Sequence, residues 1–389
     1  MQLLGGLTAA QFLRRYWQKR PLLVRGAIPG FSDPLAPAQI KKLATRDDVE
    51  SRLVWRDKGR WQLDRGPLPA KRLATMPSKN WTVLVQGTNL HADAADALLR
   101  RFAFLPAARL DDLMASFAAP GGGVGPHVDS YDVFLLQGQG RRRWRIGNQA
   151  DHQVVASAPL AVLRNFTPNE EWVLNPGDML YLPPHIAHEG VALDACITWS
   201  IGFRAPAARE LGSALLDGLD QALHQQVTLD RYADPGLKPS TKTGAIPRDM
   251  LAYAINVAKR LRLTEKRVAA ALGQYLSEPK ASVSFDAPEA PLSSRRFVAT
   301  LRTEGFRLDR CTQMLYRNGN FFINGEIEAA DGADSRVLQV LADLRRLDAG
   351  VVLGVATHKL LYRWYVYGWL HCGASANALR EPRRGRLAP

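Results

Sequence analysis

A chain of 389 residues, 46% of them hydrophobic, has apolar side chain enough for a sizeable core and length enough for two or three domains. No apolar run approaches the roughly 20 residues of a bilayer span, and the first residues lack the charged-then-apolar order of a signal peptide. Lysine and arginine outnumber aspartate and glutamate 51 to 37, and the resulting +14 suits nucleic acid, ribosomes or a membrane surface, or reflects a basic proteome.

A helix near Thr8 to Gln18 opens the chain. Up to about residue 205 come short strand candidates broken by Gly and Pro: Leu22–Val24, Trp81–Val85, Leu113–Phe117, Asp132–Leu136, Arg143–Ile146, Asp178–Leu182 and Ala195–Ile201. Many short strands with turns between them predict a double-sheeted jelly roll of the cupin kind. After Arg204-Ala205-Pro206 the period changes. Leu211, Leu215, Leu219 and Leu223, with Ala214 and Ala222, form an apolar stripe at helical spacing. A loop over Asp234–Pro239 precedes two amphipathic helices, about Pro247–Leu261 and Thr264–Leu276. This helical block has little core of its own, so it is expected to pack on the barrel or on a second copy, and a homodimer is predicted.

From about Ser282 a third region begins. Asn318-Gly319 between apolar alternations is a strong hairpin signal, and helices are expected at Ser335–Leu347 and His358–Trp369. Helices around one hairpin suggest a winged helix, a fold that commonly binds DNA but does not by itself define a function. The basic run Arg380–Arg386 reads as a solvated tail. The three cysteines, Cys196, Cys311 and Cys372, are odd in number and lack metal-type spacing, which fits a reducing, cytoplasmic setting.

The chemistry centres on His127-Val128-Asp129. On a strand, residues two apart project from one face, so this imidazole and carboxylate would point together. A later histidine follows the strand ending at Pro183-Pro184. With His188 as that third ligand the set is the facial triad of a non-haem Fe(II) oxygenase, which leaves coordination positions open; His185 in the same segment is a rival. The preceding run Pro120-Gly121-Gly122-Gly123-Val124-Gly125-Pro126 lacks the Lys-Ser/Thr of a phosphate loop. It is either a flexible turn or a stretch without Cβ atoms that lets backbone or a peptide pass close to the metal. In Gly140-Arg141-Arg142-Arg143-Trp144-Arg145, strand alternation puts Arg142 and Trp144 on one face and the other arginines on the opposite one. One buried arginine would pair bidentately with the distal carboxylate of 2-oxoglutarate, and a hydroxyl from a neighbouring strand, such as Ser116, would help.

Asp111-Asp112-Leu113-Met114-Ala115-Ser116-Phe117, the glycine run, His127 to Phe134 and Gln137 to Gly147 form one nearly continuous signature. It resembles the bacterial ribosomal oxygenases of the JmjC class, which hydroxylate an arginine of large-subunit ribosomal protein L-sixteen. Tyr16-Trp17-Gln18-Lys19-Arg20-Pro21-Leu22 and His188-Glu189-Gly190 match the same family. The resemblance implies an α+β chain: a JmjC double-stranded β-helix domain (1–205), a helical dimerisation domain (206–281) and a winged-helix-like end (282–389). It implies Fe(II) on His127, Asp129 and His188, 2-oxoglutarate on Arg142 and Ser116, O2 as oxidant, and substrate arginine contacts from Asp112 and Tyr131. His185 departs from the small or apolar residue expected there. The same chemical class includes ribosomal-protein histidine hydroxylases and lysine demethylases. A non-catalytic cupin and winged-helix regulator of DNA is the reading from a different class.

Overall fold

The computed structural model describes residues 2–226, 231–235, 246–260, 263–330 and 332–373. Residues 236–239 of the expected loop, Leu261, the side chains of Ala222 and Leu223 and the run Arg380–Arg386 lie outside the described residues. The chain forms two compact units: residues 1–205 with 280–311 and those from 345 onward, and residues 206–279 with 312–344.

Residues 1–205 of the first unit carry eleven strands: β1 Leu22–Val24, β2 Ser51–Asp57, β3 Arg60–Arg65, β4 Trp81–Val85, β5 Leu110–Ala118, β6 Val133–Gln137, β7 Arg142–Gly147, β8 Glu170–Leu174, β9 Met179–Leu182, β10 Ala187–Ala192 and β11 Cys196–Phe203. Eight of them form one sheet in the order β1-β9-β6-β11-β5-β4-β2-β3, and β10-β7-β8 form a second. Alternation along each strand assigns its two faces. Phe134 and Leu136 of β6, Met179 and Tyr181 of β9, and Ile197, Trp199 and Ile201 of β11 belong to the larger core. Their neighbours Val133, Leu135, Leu180 and Leu182 join Trp144, Ile146 and Leu174 of the smaller sheet in a second core. The barrel therefore has an outer face covered by helices and an inner face directed at the smaller sheet.

The covering begins with the helix Ala9–Arg15. Thr8 caps it, and Gln11 returns a side-chain bond to the Thr8 amide at 2.9 Å, a reciprocal capping box. Its Phe12 is fully buried, 5.0 Å from the Tyr181 ring and 5.5 Å from that of Phe134. Truncating such a side chain to alanine costs about 3–5 kcal/mol. The β2–β3 hairpin, β8 and the helix Asp93–Arg100 have no counterpart among the sequence expectations.

In the second unit, helices Ala208–Gln226, Arg248–Arg260 and Glu265–Ser277 accompany a three-stranded sheet, Met314–Arg317, Asn320–Ile323 and Glu326–Ala329, and a helix Gly332–Leu344. Asn318 and Gly319 both take positive φ, 49° and 80°, as a tight hairpin turn between right-twisted strands requires. The single expected hairpin is thus part of a meander. The helix Glu265–Ser277 packs on that meander rather than lacking a partner: a Cβ at Gly273 would stand 2.4 Å from the Phe322 ring. Gln274 Nε2 also donates to Gly325 O at 3.1 Å. The helix expected at His358–Trp369 runs Val355–Val366 and belongs to the first unit.

Candidate functional site

The inner face of the barrel lines a cavity of about 380 Å³. Strand alternation selects which residues reach it. On β5, Leu113, Ala115 and Phe117 go to the larger core while Asp112, Met114 and Ser116 face the cavity. On β11, Thr198, Ser200 and Gly202 do the same, and β7 contributes Arg142 and Trp144. A polar side chain at an inward position costs desolvation, so it needs a partner in the protein or in the cavity.

His127, Asp129 and His188 meet in this cavity, with one ligand-competent atom from each all within 4.8 Å of one another. His188 Nε2 lies 3.7 Å from Asp129 Oδ2, and the two imidazole centroids are 4.2 Å apart. Each histidine fixes its other nitrogen on a backbone carbonyl: His127 Nδ1 on Gly125 O and His188 Nδ1 on Ile186 O, both at 2.9 Å. An Nδ1–H donated to a carbonyl leaves the Nε2 lone pair for a metal. Burial, reinforced by neighbouring His127, pushes the His188 pKa down to about 3, so its ring is neutral. Burial pushes the Asp129 carboxyl up, with His127 and Arg52 opposing.

One expectation needs correcting. His127 and Asp129 do not lie on a strand but in the connection between β5 and β6, where His127 makes a single β-bridge to His188 of β10. Reciprocal bonds, His127 N to His188 O at 2.9 Å and His188 N to His127 O at 2.8 Å, hold the two histidines side by side. Pro126 has no amide to extend a ladder on that side. The glycine run explains the rest. A Cβ at Gly122 would stand 2.1 Å from Trp81 O, and one at Gly123 2.4 Å from Gly190 O. The absence of Cβ atoms in the run thus lets the connection press against the chain's own backbone. His185 is exposed in the turn, with φ 66°, and its amide donates to Asp129 O at 2.8 Å. Its side chain is not part of the cluster.

One end of the cavity is cationic. Arg142 is 5% exposed, and its Nη2 donates to Ser116 Oγ at 3.2 Å and contacts Cys196 Sγ at 3.7 Å. Its Nε, like Trp144 Nε1, is buried without a hydrogen-bond partner among the described residues. A buried guanidinium with an unused donor is a site for an anionic acceptor. The alternation predicted for this strand holds: Arg142 and Trp144 are buried, and Arg143 and Arg145 are not. Arg145 Nε instead pairs across the strands with Glu189 Oε2 at 2.9 Å.

The other end is acidic. Asp112 is buried, takes the Gly87 amide on Oδ2 at 3.0 Å and lies beside Asp111. Lys280 Nζ reaches both acids, 3.3 Å from Asp112 Oδ2 and 3.2 Å from Asp111 Oδ1. Burial, with Asp111, pushes the Asp112 carboxyl up while Lys280 opposes. Tyr131 is 39% exposed at the wall; burial of its hydroxyl and the charges of Asp129 and Asp112 push it up, so it stays a donor. Sequence reasoning missed Arg52, Gln86, Ser200 and Lys280. Ser200 was legible in the alternation of Ile197, Trp199 and Ile201 with Thr198, Ser200 and Gly202. Gln86 Oε1 and Arg52 Nε are further buried atoms at the cavity wall with no partner among the described residues.

Comparison with known proteins agrees with this geometry. Residues 97–211 match the JmjC domain family and residues 259–371 the ROXA-like winged helix. The chain is 35% identical to the ribosomal protein uL16 3-hydroxylase of Escherichia coli, over 84% of this chain and 88% of that protein. It is 33% identical to a probable ribosomal oxygenase of Haemophilus influenzae, over 88% of this chain and 87% of the relative. The structure of the E. coli ribosomal oxygenase YcfD in complex with cobalt and 2-oxoglutarate superposes with a TM-score of 0.77 at 32% identity, covering 94% of this chain and 98% of that one.

Proposed function

The chain belongs to the JmjC-class ribosomal oxygenases, and from that premise we propose that it hydroxylates an arginine of ribosomal protein uL16 at the 3-position. It is an Fe(II)- and 2-oxoglutarate-dependent dioxygenase acting on a ribosomal protein. The observation that carries the reading is one cavity with three stations: an unused guanidinium donor on Arg142, a His127–Asp129–His188 cluster, and the acid Asp112.

The residues suit the groups assigned to them. Two imidazoles and one carboxylate are the donor set for Fe(II) that keeps positions open, so His127, Asp129 and His188 would hold the metal. Arg142 and Ser116 would hold the distal carboxylate of 2-oxoglutarate, the guanidinium through its unused Nε. With Fe(II), 2-oxoglutarate and O2 bound, the centre supplies the oxidising power to place hydroxyl on an unactivated carbon, releasing succinate and carbon dioxide. The protein's own part is chiefly positioning. Asp112 would pair with the substrate guanidinium, and Tyr131 would donate beside it. Trp144, buried next to the His188 ring at 5.9 Å between centroids, keeps water from that side of the cluster.

By sequence order, 1–205 would be the catalytic part, 206–281 a dimerising helical part, and 282–389 the winged-helix-like part. Leu216, Leu251 and Ile255, exposed on helices of the second unit, support a second copy of the chain as partner. No helix among the described residues is long and apolar enough to cross a membrane, and a ribosomal substrate favours the cytoplasm. The test is incubation of the protein with Fe(II), 2-oxoglutarate and unmodified uL16. One oxygen on an arginine, with stoichiometric succinate, is expected. Oxygen on a histidine, or loss of methyl groups from a lysine, would point to the related activities instead.

A further inference from the structure

Lys280 lies 168 residues from Asp112 in sequence, yet its ammonium sits between Asp112 and Asp111 at the acidic end of the cavity. It does not occupy the whole carboxylate. Asp112 Oδ2 takes both Lys280 and the Gly87 amide. Oδ1 is turned the other way, toward Gly202 and Tyr131: a Cβ at Gly202 would stand 3.7 Å from Asp112 Oδ1 and 3.9 Å from Tyr131 Cε2. Both neighbours line the cavity.

This arrangement answers a physical problem. The Asp112 side chain is only 8% exposed, and a lone carboxylate so placed takes up a proton rather than stay charged. Asp111 makes this worse by adding like charge. A protonated acid cannot form an ion pair with a guanidinium. The groups facing Asp112 are Asp111, Lys280 and Tyr131, with Arg204 Nε 3.7 Å from Asp111 Oδ1. Lys280 is the one cation among the described residues within 4 Å of Asp112.

We propose, on the reading that Asp112 receives the substrate arginine, that Lys280 is a positioning residue for that substrate: it keeps Asp112 ionised and commits Oδ2, so that Oδ1 meets the guanidinium in a fixed direction. Lys280 does not touch the substrate and need not leave for it to bind. The same residue narrows selectivity, because the pocket offers a single directed anion rather than a mobile pair.

The test uses the full chain with Fe(II), 2-oxoglutarate and a uL16 peptide carrying the substrate arginine. Lys280→Ala raises the peptide KM about tenfold, the loss of one charge-assisted contact, while kcat at saturating peptide and the 2-oxoglutarate KM stay within about twofold. Its kcat/KM falls off at higher pH than the wild type's as acid is added, because Asp112 protonates sooner. Lys280→Arg restores both readouts, and Lys280→Gln repeats the alanine result with an unchanged melting temperature. An unchanged peptide KM and pH profile in Lys280→Ala overturns the proposal. A lower KM also overturns it and makes Lys280 a competitor for the site. A wild type that leaves every arginine untouched overturns instead the substrate reading beneath it, and Lys280 falls with it.

Discussion

Arg142 and Asp112 are both buried charges in the wall of one cavity, and the protein supports them in opposite ways. Arg142 keeps a donor unused, with only a hydroxyl and a thiol near its Nη2. Asp112 has a counter-ion delivered from the chain itself. The difference follows from side-chain chemistry. A guanidinium keeps its proton when desolvated, so it can wait for an anion. A carboxylate escapes desolvation by taking a proton, so a functional buried aspartate needs a cation before its ligand arrives. On the proposed reading, the cationic end would be open to a cosubstrate and the acidic end charged in advance for a substrate.

That contrast can be broken by substitution, and the centre between the two ends gives the largest effect. His188→Ala is expected to abolish cobalt binding in calorimetry and all succinate release, whereas His185→Ala binds cobalt as the wild type does. Cobalt binding lost in His185→Ala would reverse the assignment. Next comes the open cationic end. Arg142→Ala is expected to raise the 2-oxoglutarate KM on the order of a hundredfold, equivalent to about 3 kcal/mol, with the peptide KM little changed. Arg142→Lys recovers only part, since an ammonium lacks the planar fork. The pre-charged acidic end follows: Asp112→Asn keeps shape and removes charge, and is expected to raise the peptide KM about tenfold without moving that for 2-oxoglutarate.

A last effect, on stability rather than activity, concerns a third buried charge, away from the cavity and supported like Asp112. Asp309 Oδ2 lies 2.9 Å from His371 Nε2, and its Oδ1 accepts the Cys311 amide at 2.8 Å. Burial alone would push this carboxyl up, but His371, the Cys311 amide and Arg310 outweigh it and hold it at about 2. Because its pKa is depressed in the folded state, its contribution is present above the ordinary carboxylate range and is lost as pH falls through about 2. Asp309→Asn is therefore expected to cost about 2 kcal/mol in denaturant unfolding at neutral pH. The gap to the wild type should close in acid. A gap that is constant with pH would mean that charge is not what this pair contributes.

Much of the site was legible because its geometry is local. Strand alternation is enough to send Ser116 and Asp112 inward on β5 and Arg142 on β7, and a turn after β9 is enough to expose a histidine. The same reasoning misplaced His127 and Asp129 on a strand, because two-residue spacing does not distinguish a ladder from a connection pinned by one bridge. Arg52 escaped notice along with its strand. Charged residues flank Leu53-Val54-Trp55 and both ends of Arg60–Arg65 around Lys58-Gly59, which reads as solvated surface until the hairpin closes over the cavity wall. Residue chemistry alone leaves His185 a rival, the resemblance favours His188, and the exposure and backbone of His185 agree with that choice. Lys280 had no local signal at all, since its partners are fixed by tertiary structure alone.

The account is tested most directly by anomalous diffraction from crystals of this chain grown with Mn(II) and 2-oxoglutarate. The metal peak is expected between His127, Asp129 and His188, with the distal carboxylate of 2-oxoglutarate on Arg142 and Ser116 and Lys280 still on Asp112. A metal held by His185, or a cosubstrate carboxylate away from Arg142, would contradict it.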